Sequence, residues 1–117
     1  MRFEREFHQK IYNVLSHLDA PFLANCRAYF GGGTLVSLRH GEYRLSQDID
    51  FMCPIGLGYR QLRQAIIDRG YSAIFSSFDR ISLPREIQAN QYGIRFPVII
   101  DQTQIKFEIV VEGYVFQ

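Results

Sequence analysis

Two aspartates separated by a single residue, Asp48 and Asp50, are a pair whose type and spacing could hold a metal ion. The run from Gln47 to Met52 alternates polar and apolar residues, which predicts a β-strand with both carboxylates on one face. Strands are depleted in aspartate, and two such neighbours repel each other unless water or a cation lies between them. Mg²⁺ prefers one or two carboxylates together with substrate phosphate oxygens. The pair is therefore a candidate for half of a divalent-metal site, and a solvated strand face is the alternative.

A second charged pair, Lys106 and Glu108, lies on a later predicted strand, residues 104–111. The same alternation places both side chains on one face and the apolar residues between them on the other. Glu108 could then supply a third carboxylate and Lys106 a contact to phosphate. The alternative is an exposed ion pair, which contributes little to stability.

A glycine run, Gly31-Gly32-Gly33, follows a short predicted strand at residues 27–30 and leads through Thr34 into a predicted helix at residues 34–39. Glycines let the backbone turn tightly and approach a ligand, and a helix N-terminus offers unpaired N–H groups. Together they form an anion site suited to phosphate. The run matches neither GxxxxGK[ST] nor GxGxxG, and an ordinary strand-to-helix turn remains the alternative.

An arginine, Arg44, lies in the loop directly before the aspartate strand. From that position it could steer a triphosphate or pair with the carboxylates, unless it is an ordinary surface residue.

Histidines and cysteines show no competing pattern for nucleophilic or zinc chemistry. We expect surface or hydrogen-bonded histidines and buried free thiols; the residues concerned are His8, His17, His40, Cys26 and Cys53.

The elements that must position these residues follow from hydrophobic spacing and from glycine and proline breaks. The predicted order is α β α β α β β β, an α/β or α+β fold with a mixed sheet flanked by helices. Residues 76–91 receive no assignment. Helices are predicted at 2–18, 34–39 and 59–69, with the first ending at 19–21, and strands at 27–30, 47–52, 71–75, 93–100 and 104–111, the last two forming a hairpin.

Length and composition restrict the class of protein further. With 117 residues, 47% of them hydrophobic, and a net charge of +1, the chain is expected to form one domain over residues 1–117. The near-neutral charge excludes a polybasic nucleic-acid arm and gives no support of its own for RNA binding. No apolar run approaches the roughly 18 residues that cross a membrane, and no signal-peptide pattern opens the chain, so we expect a cytoplasmic protein.

Taken together, three segments resemble the polymerase-beta-like nucleotidyltransferase superfamily. Within it, the glycine-threonine turn followed by an R-x-S-x-D-I-D-F block is similar to the AbiEii-type toxin nucleotidyltransferases. The later pair of a lysine and a carboxylate two residues apart matches that family's second motif. The three segments are residues 30–35, 44–51 and 105–108.

The resemblance implies a nucleotidyltransferase core that transfers a nucleoside monophosphate from an NTP to an acceptor hydroxyl. It further implies an RNA acceptor such as tRNA, a toxin–antitoxin or abortive-infection setting and an antitoxin partner. Two divalent ions, Mg²⁺ or Mn²⁺, would be held by Asp48, Asp50 and Glu108. The nucleotide would contact Gly32, Gly33, Thr34, Arg44, Ser46 and Lys106.

Members of this family are usually about twice as long and carry a helical C-terminal region with further motifs. We therefore expect either a fragment or a truncated member that lacks this region. A truncated member could instead be a non-catalytic binding or assembly module. A sheet edge exposed near residues 93–111 would then favour a homodimer.

Overall fold

The N-terminal segment forms two helices where the sequence predicts one. In the computed structural model, which describes residues 6–31 and 48–113, helix α1 is Glu6–Ser16 and helix α2 is Ala20–Asn25. Asp19 caps α2 by accepting a hydrogen bond from the backbone N–H of Phe22 at 3.1 Å. Pro21 lies in the first turn, where a missing N–H has no helical partner to lose. The residues interpreted as the end of one helix are therefore also the start of the next.

Five further predicted elements are present, all but one of them with shifted ends. Strand β1 is Tyr29–Gly31, strand β2 is Asp48–Pro54 and helix α3 is Leu57–Arg69. The predicted hairpin is present as strands β5, Gly93–Ile100, and β6, Thr103–Glu112. The predicted helix at residues 34–39 lies outside the described residues.

The strand predicted at residues 71–75 is wrong. Helix α3 ends at Gly70, whose φ of 59° is accessible to glycine, and the chain continues as a 3₁₀ helix, Gly70–Ala73. Ala73, Ile74 and Phe75 are all buried. Three consecutive buried residues fit a turn pressed into the core and not a strand with one solvated face.

The strands, with β3 at Ile81–Ser82, form one mixed sheet in the order β1-β2-β6-β5-β3. Strand β2 runs parallel to β6, whereas β1 with β2 and β5 with β6 pair antiparallel. Strand β3, Ile81–Ser82, and strand β4, Gln88–Asn90, both pair with β5. The predicted α+β class with a mixed sheet and flanking helices is confirmed.

The sheet edge expected to be exposed near residues 93–111 is partly covered. Strand β6 lies between β2 and β5, and β5 is bordered on its other side by β3 and β4. These two short strands come from the segment that received no assignment. Among the described residues no strand pairs with residues 96–98 of β5 on that side, so the homodimer stays a prediction.

One face of the sheet carries the core. Phe51, Phe107 and Phe96 stack in a row across three strands, with ring centroids 5.4 and 4.7 Å apart. Buried residues of all three helices join the same cluster, among them Ile11, Leu23 and Leu62. The alternate residues of β2 and β6 point to the opposite face, which is polar near the start of β2.

The packing of the helices against β2 leads to a first prediction. A Cβ on Gly58 would collide with the backbone carbonyl oxygen of Cys26, the atom that also accepts a hydrogen bond from the Cys53 thiol at 3.2 Å. We expect Gly58→Ala to lower the free energy of unfolding by about 2 kcal/mol, since the collision outweighs the better helix propensity of alanine.

Urea unfolding followed by circular dichroism measures this change. Gly31→Ala is the matched control, because its Cβ would meet only the flexible side chain of Met52, with Sδ at 3.5 Å and Cγ at 3.9 Å, which are ordinary contacts. Equal stability losses in the two variants would contradict the assignment of Gly58 as a close-packing position.

Candidate functional site

The predicted site residues of β2 and β6 are neighbours in space. Asp48 is paired with Lys106, and Asp50 with Glu108, in the parallel register of the two strands. The intervening Ile49 and Phe107 are fully buried on the core side. Because alternation then turns the four charged side chains to the opposite face, they share one patch of the open surface.

Lys106 lies between two of the carboxylates. Its Nζ atom is 3.9 Å from Oδ2 of Asp48 and 3.8 Å from Oε1 of Glu108. These separations are ion pairs but exceed hydrogen-bond length. The side chain of Glu108 is 21% exposed, against 56% for Lys106 and 43% for Asp48, so solvent screens the pair with Asp48 more strongly.

Asp50 is the carboxylate of this patch whose ionised form is disfavoured by its surroundings. Partial burial raises the pKa of its carboxyl above the ordinary value, and the negative charges of Asp48 and Glu108 raise that pKa further. The positive charge of Lys106 lowers it, but is the smallest of the four influences. Ionised Asp50 is therefore an incompletely balanced charge, which an additional cation would stabilise.

The glycine run starts beside the carboxylates. Gly31, the last residue of β1, is paired with Asp50, so Gly31, Asp50 and Glu108 form a row across three adjacent strands. The connection from Gly31 to Asp48 contains five of the predicted nucleotide-binding residues. Those residues, Gly32, Gly33, Thr34, Arg44 and Ser46, lie outside the described part of the chain.

One charged residue of the site was not predicted from the sequence. Arg95 on β5 is paired with Glu108 and extends the row to a fourth strand, its Nε atom 3.9 Å from Oε2 of Glu108. A single cation inside an otherwise apolar strand marks the residues of that strand that face solvent. This was the available signal, but it does not identify the partner.

The histidines and cysteines that the structure describes have structural roles. His8 is fully buried, and Nδ1 of His17 lies 2.6 Å from the carbonyl oxygen of Asn13 within α1 and its C-terminal turn. Cys26 and Cys53 are buried free thiols, as predicted, and burial raises the pKa of Cys53 to about 11. Thiols held so firmly in the protonated form are poor nucleophiles. His40 lies outside the described residues.

Comparison with known protein families shows the family to which the chain belongs. Residues 13–117 match the family described as nucleotidyl transferase AbiEii toxin, type IV TA system. The chain belongs to the AbiEii family. The resemblance to this family is thereby confirmed, together with a toxin–antitoxin nucleotidyltransferase context, which suggests an antitoxin as the class of partner.

No curated protein and no solved structure matches the AbiEii chain. Within the residues that the structure describes, no helix is long and apolar enough to cross a membrane.

The carboxylates of this AbiEii chain suit a divalent cation in their chemistry. Their oxygens are the ligands that Mg²⁺ and Mn²⁺ prefer. The raised pKa of Asp50 is due first to burial and then to the negative charges of Asp48 and Glu108, which a cation would offset. In residues 6–31 and 48–113, however, no three acidic, histidine or cysteine side chains are close enough to enclose a metal ion. Lys106 is instead the cation near Asp48 and Glu108. The donors fit Mg²⁺, which requires only one or two carboxylates when a substrate phosphate supplies the other oxygens.

The repulsion around Asp50 leads to a second prediction. Because its pKa is higher in the folded than in the unfolded chain, ionisation of Asp50 opposes folding, and this penalty is fully present above the raised pKa. We expect Asp50→Asn to raise the melting temperature at pH 7, in the absence of divalent ions, by roughly 2–5 °C after allowance for solvent screening. The gain should shrink as the pH falls towards 4, because the parent carboxyl then becomes protonated.

Differential scanning calorimetry at several pH values tests this expectation. Asp79→Asn removes an exposed aspartate away from the site and serves as the control. A loss of stability in Asp50→Asn at pH 7 would show that the carboxylate is favourably paired and would contradict the analysis.

Proposed function

We propose that this AbiEii chain is the core of a metal-dependent nucleotidyltransferase, which transfers a nucleoside monophosphate from an NTP to a hydroxyl of an RNA acceptor such as tRNA. The observation that supports this most strongly is the parallel register of β2 and β6. It brings Asp50 beside Glu108, with Asp48 on the same face and the glycine run beginning at the next strand.

In this proposal the three carboxylates divide the binding of Mg²⁺ or Mn²⁺. Asp48 and Asp50, which share one face of β2, would both bind the two ions. Glu108 would bind the ion nearer the acceptor hydroxyl. Bound there, the ions would supply charge neutralisation for the developing alkoxide and for the leaving pyrophosphate.

The reaction forms one bond and breaks one. The acceptor oxygen bonds to the α-phosphorus of the NTP, while the bond from that phosphorus to the bridging oxygen of pyrophosphate breaks, and the pyrophosphate keeps the electron pair. Glu108 would accept the proton of the acceptor hydroxyl. Little covalent assistance is needed from the protein, because positioning and charge stabilisation supply most of the acceleration in phosphoryl transfer.

The triphosphate would bind on the glycine side of the carboxylates. Backbone N–H groups of Gly32, Gly33 and Thr34 would donate to phosphate oxygens, as glycine turns before helices commonly do. Arg44 and Ser46, from the loop that leads into β2, would contact the same phosphates.

Lys106 would change partners in this reaction. With a divalent ion bound at the carboxylates, the ammonium group of Lys106 would be available to contact phosphate. Because its RNA acceptor and NTP are found in the cytoplasm, the reaction would take place there. An antitoxin would control it.

A third prediction tests transfer directly. The chain is incubated with Mg²⁺ or Mn²⁺, a tRNA pool and each of the four α-³²P-labelled NTPs in turn. We expect label in RNA with at least one nucleotide, and a loss of at least 100-fold in Asp48→Asn, Asp50→Asn and Glu108→Gln, because each removes an oxygen ligand or the proton acceptor.

Asp79→Asn, which removes an exposed carboxylate away from the site, should label RNA as the parent does. Transfer that survives all three substitutions in the site would contradict the assignment of these carboxylates. Absence of transfer together with absence of NTP binding at millimolar concentration, in the folded chain, would overturn the proposed function itself.

Metal binding without turnover gives a fourth prediction. We expect Mn²⁺ or Mg²⁺ at about 100 times its dissociation constant to stabilise the chain by about 2.7 kcal/mol, seen as a rise in melting temperature. The double substitution of Asp48 and Asp50 by Asn should remove the rise, and Asp79→Asn should keep it. An equal rise in the parent and in the double variant would place metal binding elsewhere.

A further inference from the structure

A basic pocket lies at the β5 end of the row that begins at Gly31. It has a volume of about 280 Å³ and is lined by Arg85, Glu86, Arg95, Pro97, Gln104 and Lys106, among others. Arg95 and Lys106 belong to both the pocket and the ion pairs with Glu108, so the pocket adjoins the carboxylates.

The pocket exists because the chain leaves strand β5 and then returns to it. Strand β3 pairs with Ile99 and Ile100, whereas β4 pairs with residues 93–95, so residues 83–87 cross the intervening gap without pairing. The hydroxyl of Tyr71 donates a hydrogen bond to the carbonyl oxygen of Arg85, and the Tyr71 ring packs edge-on against Phe96 at 5.0 Å. Core packing therefore fixes the backbone that carries Arg85.

Positive charge predominates in this pocket. Three cations, Arg85, Arg95 and Lys106, face a single carboxylate, Glu86, whereas the whole chain has a net charge of only +1. Among the described residues no carboxylate lies within ion-pair distance of Arg85, which is exposed. The ion pairs of Arg95 and Lys106, at 3.8–3.9 Å, are too long for hydrogen bonds, so their N–H groups remain available to an anion.

The position of the pocket decides which anion it receives. The row across the sheet runs from Gly31 through Asp50 and Glu108 to Arg95, so Gly31 and the pocket lie on opposite sides of Asp50 and Glu108. In phosphoryl transfer the attacking and leaving oxygens are roughly in line. If the triphosphate lies on the glycine side, the acceptor must approach from the side of the pocket.

We propose that the pocket of Arg85, Arg95 and Lys106 binds a backbone phosphodiester of the acceptor strand, near the hydroxyl that is extended. This inference rests on the proposed function for its choice of ligand. Arginine provides the planar, multiply donating group that matches phosphate oxygens. Binding would position the terminal hydroxyl beside Glu108 and would be independent of the sequence of the strand.

A binding experiment without nucleotide or metal tests the pocket separately from catalysis. Fluorescein-labelled 12-nucleotide single strands, one of RNA and one of DNA, are titrated with the full chain in EDTA, and anisotropy is recorded at several salt concentrations. We expect Arg85→Glu to weaken binding about tenfold and to reduce the slope of log affinity against log salt by about 0.7 for each lost phosphate contact. Arg85→Gln should give a smaller loss in the same direction.

The matched control is Arg60→Glu, the same charge change at an exposed position of α3 away from the pocket. Circular dichroism verifies that each variant is folded. Equal weakening of binding by the two Glu variants would show that only the overall charge matters, and it would overturn the proposal. Competition by polyglutamate that is as effective as competition by unlabelled RNA would also overturn it. Loss with both RNA and DNA supports a phosphodiester contact alone, and loss with RNA only supports a phosphate contact combined with recognition of the 2′-hydroxyl.

Failure of the pocket and failure of the proposed function give different results. If the parent chain labels RNA but Arg85→Glu binds the strands as the parent does, the pocket is wrong and the nucleotidyltransferase stands. If Arg85→Glu loses binding while no variant or parent transfers a nucleotide, the pocket stands as a nucleic-acid site and the transfer proposal is wrong.

Discussion

The parallel pairing of β2 with β6 is the constraint on which the rest of the structure depends. Ile49 and Phe107 are adjacent on the core face, and both are fully buried. A slip of one residue would turn these side chains to solvent and press Asp50 or Glu108 into the core. Desolvation of a carboxylate costs several kcal/mol, so burial of the apolar residues fixes the position of the charged ones. Packing in the core therefore fixes the strand register that positions the site residues.

On the charged face of the sheet, in contrast to the core face, the arrangement of the side chains does not favour stability. Three carboxylates are held near one another with Lys106 and Arg95 at ion-pair distance from Asp48 or Glu108, and Asp50 is the least compensated. A protein selected only for stability gains nothing from this arrangement, and strained charge clusters of this type are concentrated at functional sites. The same face adjoins a pocket rich in arginine, so the charge changes from negative to positive along the row from Asp50 through Glu108 to Arg95.

The sequence allowed β2, β5 and β6 to be predicted, because each has one apolar and one polar face or a continuous apolar run. It also allowed Asp48, Asp50, Lys106 and Glu108 to be selected, since alternation fixes which residues share a face. That β2 and β6 are neighbours could not be derived from periodicity, because parallel pairing joins segments more than fifty residues apart. Only the resemblance to the family brought the two motifs together.

The remaining errors have local physical causes. Helix α2 was missed because Asp19 and Pro21 serve equally as an ending and as a cap, and only packing of Leu23 decides between them. Strands β3 and β4 have two and three residues, too few for a periodic signal. Arg95 was missed because its partner lies across the hairpin, and a lone arginine in a strand gives no indication of what it faces.

Lys106 gives the acidic patch a counter-ion that is covalently attached to the chain. A dissolved ion leaves when its concentration falls, whereas an ammonium group on a strand stays within a few ångströms of its carboxylates at any dilution. Part of the repulsion is thus relieved even in a chelating medium, without a bound ion. Assembly of the fold would for this reason be separate from metal binding at the proposed site.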